Sequence, residues 1–509
     1  VSALPAERRL AASAHSGESM LGSGAADIGA AQRSSAADSG FVAGAGNPAD
    51  RATDDATARR EFSVARELSR DALAGAGNPG GEAHVDGSGV DAGGGPSAPG
   101  RTEWHGPRIA VVGIGADGWD GLSRAAREAV ANCAVLFGSR RQLALVPDGS
   151  AERVVWPSPL MPALPGLFAA HADRRIAVLA SGDPMFYGIG VTLARLLGSG
   201  ALQVFPQPSS ASLACARLGW GVAETPVVSV VGRPAETLLP ELTDGRRILV
   251  LAADQHSPAK IAELLRHNGF GCSELTVLEQ LGGPSERITS GRADTWDVPP
   301  GDPLNIIAIE AVADPKRLRA TRLPGLPDEF FGGDGQLTKA EVRALTLAAL
   351  APAPGELLWD IGGGSGSIAI EWCRTHPACR AVTFERMAKR RTQIAENAAA
   401  LGVPHIMVRG EAGAELSEPP LDIPDAVFLG GGLTQDGLFE TCWSHLRHGG
   451  RLVANAVTAE SEALLLRWAA EYGGELRKFQ IYRAEALGGF TAWRPQLPVT
   501  QWSVRKAPR

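Results

Sequence analysis

The stretch Leu357-Leu358-Trp359-Asp360-Ile361-Gly362-Gly363-Gly364-Ser365-Gly366-Ser367 decides the fold of the carboxyl-terminal half of this chain. An apolar strand runs into an acid and then into a glycine-dense turn, and a helix is expected from residue 367. Glycines at 362, 364 and 366 permit positive φ and let backbone approach a ligand closely. The spacing is G-x-G-x-G. A dinucleotide turn needs G-x-G-x-x-G, and its third glycine would fall at Ser367. Nineteen residues beyond Gly366, Ala381-Val382-Thr383-Phe384-Glu385 reads as a second strand ending in an acid suited to a ribose diol. Together these favour S-adenosyl-L-methionine (SAM) over a nicotinamide dinucleotide, and methyl transfer over hydride transfer. An ordinary strand–helix bend would not explain the coincident Glu385.

On either side of the turn, helices are expected at 338–350, 367–374 and 388–400. Strands are expected at 356–360, 380–384, 405–408, 425–429 and 451–457. This alternation predicts a doubly wound, Rossmann-like sheet with its ligand at the strand carboxyl ends. Glu411 and Ala412 lie where the third strand should meet an adenine ring. The fourth strand runs straight into Gly430-Gly431-Gly432, where many amino-group methyltransferases carry a polar-Pro-Pro-aromatic stretch. Thr338 with Glu341 three residues on reads as a capping box, or Thr338 meets the ligand; both readings stand. The expected cofactor-facing set in this half is Thr338, Asp360, Gly362, Gly363, Gly364, Ser365, Gly366, Glu385, Glu411 and Ala412.

Residues 107–313 read as a separate α/β domain. Strands are expected at 109–114, 134–137, 175–180, 227–231, 247–251, 275–278 and 304–309, with helices at 122–132, 190–197, 209–218 and 258–267. Gly113, Gly115 and Gly118 formally satisfy G-x-G-x-x-G. The next strand is followed by Gly138-Ser139-Arg140 rather than an acid, which argues against a nucleotide fold here. More telling is the loop Ser181-Gly182-Asp183-Pro184 after a strand. Prolines between 315 and 327 mark 314–327 as a linker to a second domain over 328–509. Residues 1–106 are expected to be a disordered low-complexity tail: Phe41, Phe62 and Trp104 are its only aromatics, and Ala-Gly-Ala-Gly-Asn-Pro occurs at both 43–48 and 74–79. A functional tail and an over-extended gene start are equally open.

At 509 residues the chain has room for two or three domains, and its net charge of −7 argues against a large nucleic-acid footprint. Six scattered cysteines without a C-x-x-C pair read as reduced thiols. No apolar run reaches a membrane span and no secretory signal is evident, so a cytoplasmic protein without a membrane partner is expected. Cys373-x-x-His376-x-x-Cys379 offers only three zinc ligands, and no metal is expected.

The motifs add up to a specific resemblance. Thr338-Lys339-x-Glu341-Val342-Arg343, the glycine turn, Phe428-x-Gly430-Gly431 and Val453-Ala454-Asn455-Ala456-Val457-Thr458 resemble, in that order, the decarboxylating precorrin methyltransferases of the CbiT type. In the first domain Gly118-Trp119-Asp120-Gly121-Leu122, the Gly182-Asp183-Pro184 loop, Pro208-Ser209-Ser210-Ala211-Ser212 and Val277–Gly283 resemble the two-lobed tetrapyrrole methyltransferases, specifically the CbiE type acting at carbon 5. One departure is Val231, where that family has histidine. Fusion in this order is similar to the precorrin-6Y C(5,15)-methyltransferases (decarboxylating) of cobalamin biosynthesis. The resemblance implies two SAM sites, methylation at carbons 5 and 15 with loss of the ring C acetate carboxyl, a tetrapyrrole substrate and a homo-oligomer. It places SAM in the first domain near Gly113, Gly115, Gly182, Asp183 and Ser210.

A polycarboxylate substrate calls for cationic anchors. Lys339 and Arg343, four apart on one helix, are the candidates, with a solvated helix face as the alternative. Asn455 stands at a strand end where it could face substrate, with a core or capping role as the alternative. No acid or base is singled out. An RNA or protein methyltransferase and a non-catalytic SAM or tetrapyrrole carrier are the competing readings.

Overall fold

A computed structural model describes residues 104–335, 337–416 and 421–508. The expected tail lies outside the described residues, apart from its last three. Two five-stranded sheets come first. β1 (Ile109–Ile114), β2 (Val135–Gly138), β3 (Glu152–Val155), β4 (Ile176–Ser181) and β5 (Leu202–Phe205) form an all-parallel sheet in the order β3-β2-β4-β1-β5. Both faces of β1 and β4 are apolar and buried, as a parallel sheet covered by helices requires. β6 (Val227–Ser229), β7 (Arg247–Leu251), β8 (Glu274–Glu279), β9 (Arg287–Arg292) and β10 (Asn305–Glu310) form a mixed sheet in the order β6-β7-β10-β8-β9. The two sheets are the two lobes of an α/β domain.

The carboxyl-terminal sheet has seven strands. β11 (Leu357–Ile361), β12 (Arg380–Phe384), β13 (Met407–Arg409), β14 (Ala426–Leu429), β15 (Arg451–Ala456) and β16 (Glu475–Phe479) run in one direction, and β19 (Val499–Arg505) lies antiparallel between β15 and β16. The order is β13-β12-β11-β14-β15-β19-β16. Strand order reverses at β11, so the crevice at its carboxyl end is the topological switch point, where such sheets bind ligands. β17 (Tyr482–Leu487) and β18 (Phe490–Pro495) form a separate hairpin through Gly488-Gly489.

The segment expected as a linker, 314–327, contains no helix or strand but is packed. Ala320 and Leu326 are buried with the helices of the carboxyl-terminal domain. Arg322 pairs with Glu241 of the first domain and donates to the Arg374 carbonyl of the second (3.0 Å). No helix among the described residues is long and apolar enough to cross a membrane.

Candidate functional site

In the first domain four loops converge at the carboxyl ends of β1 and β4. Gly113 is buried within β1, and a Cβ there would strike the Gly182 carbonyl and lie 2.9 Å from Gln207. Gly113 is therefore glycine because the strand abuts the next loop. Gly182, at φ +59, turns that loop with its Cα facing Pro208 and Ser209. The Asp183 Oδ1 accepts from the Met185 N–H (2.8 Å), which ties the acid into its own turn. Gly115 lies in the loop after β1, and Ser210 is the exposed first residue of the helix Ser210–Leu218, whose cap is Ser209. From the other lobe, Gly283 brings its loop against Ala116, where a Cβ would lie 2.8 Å from the Ala116 carbonyl. Among the described residues, Tyr187 (φ 54) and Gln280 (φ 48) are two of the three non-glycine residues with positive φ, and both flank this convergence. Gln280 is held there by its side-chain amide on both Asp302 carboxylate oxygens (3.0 Å each). Sequence reading did not single out Gln280. Val231, in place of the histidine, donates its N–H to Ser229 Oγ (3.3 Å).

In the second domain Gly362, Gly364 and Gly366 have φ of +78, +59 and +79. A Cβ on Gly362 would sit 2.8 Å from the Gly431 nitrogen, so the turn and the β14 loop touch backbone to backbone. That contact gives a physical reason for glycines after β14. Gly363 is likewise closed off by Thr383, and Gly366 by Ile394. The Gly364 N–H donates to Glu385 Oε2 (3.0 Å) and the Met387 N–H to Oε1 (2.8 Å), so the acid after β12 stands directly against the turn. Ser365 Oγ is buried and makes no hydrogen bond, an orphaned polar group at the turn itself. Positive-φ backbone, a neighbouring carboxylate and an orphaned hydroxyl fit a SAM donor with a ribose and an amino-acid end.

Asp360 supports this turn from beneath. It is 1% exposed, accepts from Thr383 Oγ1 (3.3 Å), and burial pushes its carboxyl up to about 7. Glu411 is exposed ahead of the short helix Ala412–Glu415, while Ala412 is buried in the core.

Two expectations are corrected. Thr338 is not the helix cap: the helix spans Ala340–Leu350 with Lys339 at the cap position and no side-chain cap, and Glu341 instead pairs with Arg483 of the hairpin (2.8 Å). Arg343 is neither a substrate anchor nor part of a solvated face. It is fully buried, with Nε on Glu371 (2.8 Å), Nη1 on Asp328 (2.9 Å) and on the Thr338 carbonyl, and Nη2 on the Leu326 carbonyl. Its donors are spent on the polypeptide, and Glu371 also receives the Gly325 and Leu326 N–H groups. Asn455 is half-buried and takes the core role weighed beside substrate contact, donating to Thr346 Oγ1 (2.8 Å) and accepting from Gln501 (3.0 Å). Of the two candidate cations Lys339 reaches solvent, 3.5 Å from Asp328.

Two family models match separate stretches of the chain. The family model described as "Precorrin methyltransferase domain" matches residues 329–506, and that for "Tetrapyrrole (Corrin/Porphyrin) Methylases" matches 108–297. A precorrin-6Y C(5,15)-methyltransferase [decarboxylating] of Mycobacterium tuberculosis is 50% identical over 402 residues, covering 78% of this chain and 100% of that protein. A cobalt-precorrin-7 C(5)-methyltransferase of Salmonella typhimurium is 32% identical over 180 residues, 35% of this chain and 88% of its own length. A probable cobalt-precorrin-6B C(15)-methyltransferase (decarboxylating) of Pyrobaculum aerophilum is 35% identical over 184 residues, 35% of this chain and 93% of its own.

Proposed function

Because this chain belongs to the precorrin-6Y C(5,15)-methyltransferase (decarboxylating) family, SAM-dependent C-methyltransferases of cobalamin biosynthesis, we propose that it divides two methyl transfers between two donor sites, one in each methylase domain. The first domain, 107–313, methylates carbon 5 of the precorrin; the second, 328–509, methylates carbon 15 and releases the ring C acetate carboxyl as carbon dioxide, giving precorrin-8. The observation that carries this reading is the presence of two unlike loop convergences, one around Gly182 and one around Gly364, each at the carboxyl ends of parallel strands. The separate, shorter C(5)- and C(15)-methyltransferases to which the chain is similar support the same division.

When bound, SAM supplies a methyl group already made electrophilic by its sulfonium. The protein is left to align donor and carbon nucleophile and to exclude water. The backbone of 362–366 and Glu385 orient the donor in the second site; the loops at 113–118, 181–188, 207–210 and 280–283 do so in the first. In decarboxylation the carbon–carboxyl bond breaks and its electron pair enters the conjugated macrocycle, with a proton then taken up at the carbon. No protein metal is needed for that step. Lys339 is the solvent-reaching cation placed to meet a substrate carboxylate.

The protein acts as a homo-oligomer without nucleic-acid or membrane partners. The hairpin supports self-association: Phe490 is 82% and Trp493 72% exposed, and β17 and β18 pair only with each other among the described residues.

Incubation with labelled SAM and reduced precorrin-6 tests the proposal. Two labelled methyls per pigment with one carbon dioxide is the expected result. Bound but unreacted pigment would leave a carrier, and one methyl would leave a single working site.

A further inference from the structure

Asn397 lies on the helix Ala388–Ala400, three turns from its start and 4% exposed. Its Nδ2 donates to the Ser365 carbonyl (2.9 Å) and to the Gly332 carbonyl (3.0 Å); its Oδ1 accepts from the Gly332 N–H (2.9 Å) and from Gln393 Nε2 (3.3 Å). Both donor hydrogens and both acceptor positions of one amide are therefore engaged. Three of the four bonds go to the backbone of two irregular segments: the glycine turn, and the loop 331–335 that leads to Thr338 and Lys339. That loop carries Gly332, Gly333 at φ +145 and Gly335 at φ +86, so little in its own backbone restricts it. A further tie to the same helix is the ion pair between Asp334 and Arg390, 2.8 Å and near the surface. A packing asparagine would bond its own helix or a neighbouring element; this one joins two loops at the mouth of the site.

We infer that Asn397 is a positioning residue for carbon-15 methyl transfer: it fixes the glycine turn and the 331–335 loop as one unit, so that donor binding does not have to order either. The inference rests on the donor site proposed at Gly362–Gly366. Removing the amide leaves the turn free to form but makes each donor-binding event order the loop as well, which weakens donor binding and leaves the chemical step of the filled site intact.

The full-length protein is tested as Asn397→Ala and as Arg390→Ala, the latter loosening the same loop from the surface without entering the core. Titration with S-adenosylhomocysteine is combined with steady-state kinetics of both methylations. The expected result for Asn397→Ala is a 10- to 50-fold rise in the donor KM of carbon-15 methylation, about the loss of two hydrogen bonds. The kcat at saturating donor is retained, and carbon-5 methylation is unchanged as the internal control. Arg390→Ala gives a smaller rise, roughly twofold to fivefold. An unchanged donor KM in folded Asn397→Ala overturns the inference, as does an unchanged KM in Arg390→Ala should Asn397→Ala not fold. If the wild-type protein shows no donor uptake by its second domain, it is the underlying site assignment that fails.

Discussion

Arg343 shows how far a single residue can depart from its sequence context. Its spacing from Lys339 suggested a two-cation anchor, yet its partners are Glu371, 28 positions later, and the Leu326 carbonyl, 17 positions earlier. Neither separation is a local pattern, so no helical periodicity could announce them. Removing one partner of a buried ion pair leaves the other charge unpaired at a cost of about 3–5 kcal/mol. Arg343→Ala is thus expected to lower the unfolding free energy of the carboxyl-terminal domain by that amount, read as a lower urea midpoint at unchanged slope. A raised precorrin KM with unchanged stability would restore the anchor reading. Asp360 yields a pH prediction. The folded protein holds its proton up to about 7, whereas an unfolded aspartate releases it near 3.9. Between those values the unfolded state binds fewer protons, so the contribution of Asp360 to stability falls as pH rises through this window and is lowest above 7. Asp360→Asn should flatten that decline, by up to about 3 kcal/mol, between unfolding curves recorded at pH 5 and pH 8. The glycines and Glu385 could be read directly because backbone chirality and strand–turn–helix geometry are local constraints. Asn397 could not, since its partners are loop carbonyls.

At the scale of elements, most parallel strands of both domains were legible as short apolar runs bounded by glycine and proline, but β3 and β5 at the two edges of the first sheet were not, since each is only partly buried and lacks a continuous apolar run. The strands after residue 474 were not. β19 places Thr500 and Gln501 in the sheet interior, where Gln501 is satisfied by Thr346 and Asn455, so its sequence lacks the expected apolar run. β16 is an edge strand with a mostly exposed, charged surface. The hairpin did leave a signal, Gly488-Gly489 between two strand-like hexapeptides. On its outer face Trp493 stands opposite Ala484, and Tyr482 opposite Pro495. Replacing Phe490 and Trp493 together by glutamate is expected to shift the protein to a smaller species in analytical ultracentrifugation. Both donor sites should still bind S-adenosylhomocysteine. A wild-type protein that sediments as a monomer would remove the proposed role of the hairpin.

Across the whole molecule the two donor sites lie in domains joined by a packed segment rather than a slack tether, with Arg322 contacting both. The order of the domains could be read from motifs; the tightness of the connection could not, because proline-rich sequence alone does not reveal what it packs against. Separate sites make separate losses possible. Gly364→Arg adds a long side chain where φ is +59. It is expected to depress carbon-15 methylation by at least about 100-fold while leaving carbon-5 methylation, assayed on the decarboxylated intermediate, untouched. Loss of both activities would argue for one shared site.

β19 lies between β15 and β16 although it follows both in sequence, with Trp502 fully buried at the centre of the sheet. A ribosome making this polypeptide at about 5–20 residues/s therefore needs roughly 10 to 40 s after finishing residue 313 before the strand that closes the second sheet exists. Over that interval the first domain is a finished fold while its neighbour has a gap between two strands, which makes nascent chains most dependent on chaperones late in translation.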